Sequence, residues 1–157
     1  MIIPDWLLRV LLPGLPDDRY QPASLDLSIE KVFVFKNQGK VHRHSKQLPE
    51  VEELEPSNGV YRLEKGVYKI RFAEPVKVPP DCAAITIPRS TLLRCGAYIL
   101  PGYWDPGYEG KGENLLVVEN PHGLELEQGA KVAQLVFFRL LLPPEKLYRG
   151  SYYRENL

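Results

Sequence analysis

The chain has 157 residues, of which 20 are Lys or Arg and 20 are Asp or Glu, so its formal net charge at neutral pH is zero. That balance provides no global field for a nucleic-acid or membrane partner, and any anion site has to be local. The length and a 44% hydrophobic content fit one domain spanning residues 1–157 that can bury a core without staples, and the two cysteines, Cys82 and Cys95, lack zinc or disulfide spacing, which makes a reducing cytoplasm the default location.

Fifteen prolines and twelve glycines without low complexity point to many short strands joined by turns. Residues 4–12 predict a helix, with Pro4 suited to a first turn, Pro13-Gly14 ending it, and Trp6, Leu7, Val10 and Leu11 recurring at helical spacing. Asp5 and Arg9 interrupt this apolar start, which reads poorly as a signal peptide, and no apolar run reaches membrane-spanning length. Residues 28–35 have strand texture. Residues 37–58 form a polar excursion, a loop or a ragged hairpin, with an acidic run at Glu50, Glu52, Glu53 and Glu55; His42 and His44 in it lack the further ligands of a metal site.

Strands are expected at 60–63 and 67–72, where apolar and polar residues alternate, at 76–78, and at 82–87, whose almost wholly apolar sequence suits a buried centre. Residues 97–100 and 115–118 read as two paired strands around a loop too rich in Pro and Gly for a simple hairpin turn. A short strand at 123–127 and a long one over 132–142 follow, and residues 147–157 make a C-terminal arm without a core-facing pattern. The expected fold is all-β, a distorted jelly roll or β-sandwich of short strands with a short N-terminal helix.

Several residues carry chemistry, and each also has a plain structural reading. Asp26, in Q-P-A-S-L-D-L, could simply be a turn residue at the start of a strand. Arg89-Ser90-Thr91 follows a buried strand, where a guanidinium fork, hydroxyls and free N–H groups suit phosphate oxygens, although Ser90 could serve only as a helix cap. Asp105 could close a turn or act as a general base on water, and Tyr108 could be a packed aromatic. Gln134 is the odd polar residue in an apolar strand and needs a partner wherever it is buried.

Four stretches occur in the order and spacing of one family. Q-P-A-S-L-D-L, P-R-S-T-L-L-R-C-G, D-P-G-Y-x-G and G-A-K-V-A-Q-L-V-F resemble the four motifs of the dUTPase and dCTP deaminase superfamily, and the tail Y-R-G-S-Y-Y-R is similar to that of the deaminases. The resemblance implies a β-clip fold and a homotrimer with sites between subunits. It implies hydrolysis of dUTP to dUMP and pyrophosphate, which limits uracil in DNA and supplies dUMP for dTMP synthesis. On that pattern Asp105 acts on the attacking water, and Tyr108 lies against the deoxyribose and excludes a 2′-hydroxyl. The hairpin around Gly102 reads uracil with main-chain groups. Arg89, Ser90, Thr91, Arg94 and Gln134 contact the triphosphate, Arg149 and Arg154 close over it, and Asp26 holds Mg²⁺, largely through water.

Two departures accompany the resemblance. Many dUTPases have Asn six residues before the Asp, and here that position is Ile99. The Glu that deaminases use as acid and base falls on Val117, or on Leu115 when counted forward, while Glu113 and Glu119 lie nearby. The alternatives are a dCTP deaminase, alone or bifunctional, and a non-catalytic nucleotide-binding β-sandwich.

Overall fold

The computed structural model describes residues 1–157. Helix α1 (Asp5–Leu11) starts on Pro4 and stops at Leu12, close to the expected span. Its inner side differs from expectation: Leu8 and Leu12 are buried, whereas Trp6 and Val10 are 64% and 69% exposed. Backbone anchors on either side, Ile3 N–H to the Phe137 carbonyl and Asp5 N–H to that of Pro22, fix the roll of the helix and turn those two outward.

The strands in chain order are β1 (Tyr20–Gln21), β2 (Ser24–Phe35), β3 (Lys40–Val41), β4 (Lys46–Gln47), β5 (Val51–Glu53), β6 (Val60–Leu63), β7 (Gly66–Phe72), β8 (Val76–Lys77) and β9 (Cys82–Pro88). A second short helix, α2 (Ser90–Arg94), comes next; it starts on Arg89 without a side-chain cap, so Ser90 is its first residue and not its cap. It precedes β10 (Ala97–Ile99), β11 (Tyr103–Trp104), β12 (Glu109–Gly110), β13 (Glu113–Val118), β14 (Leu124–Glu127) and β15 (Lys131–Arg139). The last strand was expected to reach residue 142, but Leu140 N–H turns off to the Asp81 carbonyl, leaving Leu141 and Leu142 exposed. The polar excursion is the ragged hairpin β3–β4 plus β5, which adds to β2 through Phe33 and Glu53.

The main sheet is antiparallel and runs β10-β13-β7-β2-β15-β9-β11. Strands β10 and β11 are neighbours in sequence yet stand at opposite ends of that order, so the sheet curls until its ends meet. The seam is three residues wide: Leu100 N–H bonds the Leu115 carbonyl beyond one end, and Thr86 N–H on β9 bonds the Gly102 carbonyl at the other. This is the expected jelly-roll-like all-β architecture. The predicted pairing of the organising strands is also present, Ala97 with Val118 and Ile99 with Leu116.

Strand β2 shows how the fold places polar groups. Its alternation sends Leu25, Leu27 and Ile29 into the core. The other face carries Ser24, Asp26 and Ser28, and these too are buried.

Candidate active site

Two groups of side chains hold the predicted site residues. The first is a corner on the polar face of β2. Asp26 pairs in register with Gln134 on β15, and Gln134 pairs with Ile87 on β9, two residues before Arg89. The Asp26 carboxylate is fully buried and neither oxygen accepts a hydrogen bond. Its nearest cations are Arg89 Nη1 at 3.5 Å and Lys131 Nζ at 3.7 Å, close enough to attract and too far to bond. Burial pushes the Asp26 carboxyl above the usual carboxylate range, and Arg89 and Lys131 offset part of the rise. Gln134 donates to Ser24 Oγ at 3.1 Å, which supplies the partner its amide needs.

Behind this corner lies a support that sequence reasoning missed. Buried Glu74 accepts from Ser28 N–H at 2.8 Å and from Ser28 Oγ at 2.6 Å, and pairs with Arg19 Nε at 3.3 Å. Lys131 bridges to Asp18 at 2.8 Å, tying the connector before β1 to the same corner. Long-range pairs of this kind leave no local trace; only Lys131, a lone cation opening an apolar strand three residues before Gln134, carried a readable signal.

The second group is the hairpin. Asp105-Pro-Gly-Tyr108 is a turn closed by Tyr108 N–H to the Asp105 carbonyl at 3.0 Å, and Gly107 sits at a φ of +80°, which suits the third position of a type II turn. The half-buried Asp105 lines a cavity of about 340 Å³ together with Gly102, Tyr108, Glu113 and Asn114, within the range of small-ligand clefts. The Tyr108 ring packs edge-on against Trp104 at 5.0 Å, and Trp104 Nε1 donates to Thr86 Oγ1 at 2.6 Å on β9, so the turn is clamped to the sheet.

The arm folds along this same hairpin. Tyr148 N–H bonds the Pro106 carbonyl, Arg154 N–H that of Glu109, and Lys111 N–H that of Glu155. Tyr108 Oη donates to Glu155 Oε1 at 2.7 Å, and burial with this bond pushes the phenol up. Arg149 donates to the Gly107 carbonyl and stacks on Tyr153, and Arg154 reaches Glu109 at 3.9 Å. Both arginines thus belong to the hairpin group in this arrangement, away from Arg89.

Ser90, Thr91 and Arg94 lie on α2, exposed and just beyond Arg89. Val117 sits under β10, paired with Tyr98. Of the two carboxylates near it in sequence, Glu119 is bound to Lys65 outside the cavity, whereas Glu113 lines it and accepts from Lys69 at 2.8 Å and Arg71 at 3.0 Å. No group of three or more His, Cys, Asp or Glu side chains is assembled as a metal cage.

Residues 9–140 match the family model described as dCTP deaminase-like. The chain is 40% identical over 153 residues to the protein named Probable deoxyuridine 5'-triphosphate nucleotidohydrolase from Aeropyrum pernix, covering 98% of this chain and 96% of that one. Proteins of the same name from Archaeoglobus fulgidus and Methanopyrus kandleri are 42% and 37% identical, covering 90% and 98% of this chain and 84% and 100% of theirs. Among solved structures it is similar in fold to a 2'-deoxycytidine 5'-triphosphate deaminase from Agrobacterium tumefaciens, with a TM-score of 0.67 at 20% identity; the match covers 87% of this chain and 47% of the deaminase, so the chain spans about half of its length.

Proposed function

The chain belongs to the dCTP deaminase-like family, and on that footing we propose that it is a dUTP diphosphatase, converting dUTP and water to dUMP and pyrophosphate. Near-full-length identity to relatives of that name carries the reading. The cavity beside Asp105 supports it, since it offers a carboxylate for water together with a turn for base and sugar.

The proposed roles follow from the chemistry of each group. Displacement at the α-phosphorus needs positioning and charge neutralisation and no covalent nucleophile. Asp105 orients the attacking water and takes its proton. Arg89, Lys131 and Gln134 face the phosphates from the corner, with Ser90, Thr91 and Arg94 at its rim. Asp26, a buried carboxylate with two unused oxygens, fits Mg²⁺ held through water, because that ion keeps part of its hydration shell and takes phosphate oxygens as ligands. Such an ion neutralises phosphate charge when bound.

Sites shared between subunits of a homotrimer accord with the distance between the two groups. Strand β11, which carries the hairpin, stands three strands from β2, a separation of about 14 Å across the sheet. A corner from one subunit facing the hairpin of the next would bring phosphates and base together without stretching either. The proposed location is the cytoplasm.

Within the site, Glu113 supports the deaminase reading as a carboxylate inside the cavity. It already serves Lys69 and Arg71, which favours the hydrolase. Incubating the protein with dUTP, dCTP and Mg²⁺ separates the two: the expected products are pyrophosphate and dUMP from dUTP, with no ammonia from dCTP. Ammonia release abolished by Glu113→Gln would overturn the assignment.

A further inference from the structure

Ile99 occupies the position where many dUTPases carry Asn, and its side chain is 1% exposed, packed into the core on the inner face of β10. An amide nevertheless stands at the same hairpin, supplied from the opposite strand. Asn114 on β13 lines the cavity with Gly102, Asp105 and Tyr108, and its Nδ2 donates to the Leu100 carbonyl at 2.9 Å. The contact fixes the orientation of the amide, because a carbonyl accepts only from the NH₂ side. Oδ1 is left without a protein donor.

Gly102 explains how the amide fits. A Cβ at that position would stand 3.0 Å from both Nδ2 and Oδ1 of Asn114, so the amide lies flat against the bare backbone of the loop. Any side chain at position 102 would push it away.

We propose that Asn114 is a specificity-determining residue of this site, with its Oδ1 accepting the N3–H of uracil. The proposal rests on the dUTP diphosphatase reading. Uracil carries a proton on N3 and neutral cytosine carries a lone pair there, so a fixed oxygen attracts one and repels the other. The same amide, through Nδ2, holds the Leu100 carbonyl and keeps the seam between β10 and β11 in place.

The test compares dUTP with dCTP as substrates for pyrophosphate release, and dUMP with dCMP as ligands by calorimetry. Wild type is expected to prefer the uracil member of each pair. Asn114→Ala lowers that preference by about 10- to 100-fold, the cost of losing one specific hydrogen bond. Asn114→Asp removes the donor to Leu100 and sets a carboxylate oxygen against that carbonyl, so the fixed acceptor is lost and the preference falls as in Asn114→Ala. Gly102→Ala displaces the amide and behaves like Asn114→Ala. Equal losses on both nucleotides in Asn114→Ala would reduce Asn114 to a pin and overturn the proposal, as would an Asp variant that keeps the full wild-type preference. Absence of turnover of dUTP by wild type would sink the hydrolase reading while the dUMP to dCMP binding ratio still decides the role of Asn114, and a wild-type ratio near one overturns it.

Discussion

The corner around Asp26 and the hairpin around Asp105 are built by opposite means. At the corner the functional groups are side chains on adjoining strands of the sheet, their Cα positions set by register: Asp26 opposite Gln134, and Gln134 opposite Ile87. Asp26 among them is buried and charged, Arg89, Lys131 and Gln134 are half-buried around it, and Glu74 and Arg19 brace the same strand face at Ser28. At the hairpin the groups are turn backbone and aromatic rings, clamped by Trp104 to β9 and covered by the arm. A corner of this kind makes function and stability hard to separate, because each charge is also part of the interior. A hairpin of this kind lets catalytic groups change while the sheet persists.

The largest effect that would test this contrast is on rate. Asp105→Asn is expected to lower turnover of dUTP by about 10²- to 10⁴-fold, the usual loss of a general base, while leaving the melting temperature unchanged. Near-normal turnover in a folded variant would remove Asp105 from the mechanism, and an unfolded variant would erase the contrast.

At the corner the expected order reverses. Glu74→Ala strands Arg19 and the Ser28 amide in the interior, and breaking such a buried pair costs about 3–5 kcal/mol, or a fall in melting temperature on the order of 10 °C. A calorimetric scan that matches wild type would show that Glu74 braces nothing.

Tyr108 sharpens the hairpin side. Tyr108→Phe removes the hydroxyl that meets Glu155 and should loosen the arm by about 1–2 kcal/mol, seen as faster proteolysis after residue 146, with the preference for dUTP over UTP intact because the ring remains. Tyr108→Leu, which keeps bulk without a flat ring, is expected to raise relative activity on UTP. An unchanged sugar preference in the Leu variant would assign the ring to packing against Trp104 and Tyr148 alone.

The smallest effect depends on pH. Burial lifts the Glu155 carboxyl above the ordinary range despite the opposing hydrogen bond from Tyr108. Docking of the arm therefore favours the protonated form: its contribution is complete below the free-chain value and is lost as pH rises through the raised one. Glu155→Gln is neutral throughout, so it should protect the arm from proteolysis better than wild type at pH 8, with the difference gone near about pH 4. Greater wild-type protection at pH 8 would reverse the sign and refute the account.

The strands and the four motifs were legible because both signals are local. Period-two alternation marked residues 60–63 and 67–72, and the breakers between Leu100 and Glu113 marked a shaped loop. The extent of helix α2 was hidden because five residues are too few to display a helical period. Glu74, Arg19 and Asn114 were hidden for another reason: each matters through a partner far along the chain, as when Glu74 meets Ser28 across 46 positions. The arm looked featureless since its docking uses backbone groups and tyrosine edges, which impose no apolar period.

The seam at Leu100–Gly102 has a kinetic consequence. Its bonds join stretches close in the chain, β9 with β11 and β10 with β13, so the seam can form early, while the pairing of β2 with β15 across most of the chain belongs late in folding. Asp105, Tyr108 and Asn114 lie in or beside this local unit, but the cavity they line is completed by Tyr148, Tyr152 and Glu155 of the arm, which can dock only on a finished hairpin. A half-folded chain thus offers no cavity for a nucleotide, and a ligand that binds there acts only on molecules that have finished, drawing the population toward the native state by mass action.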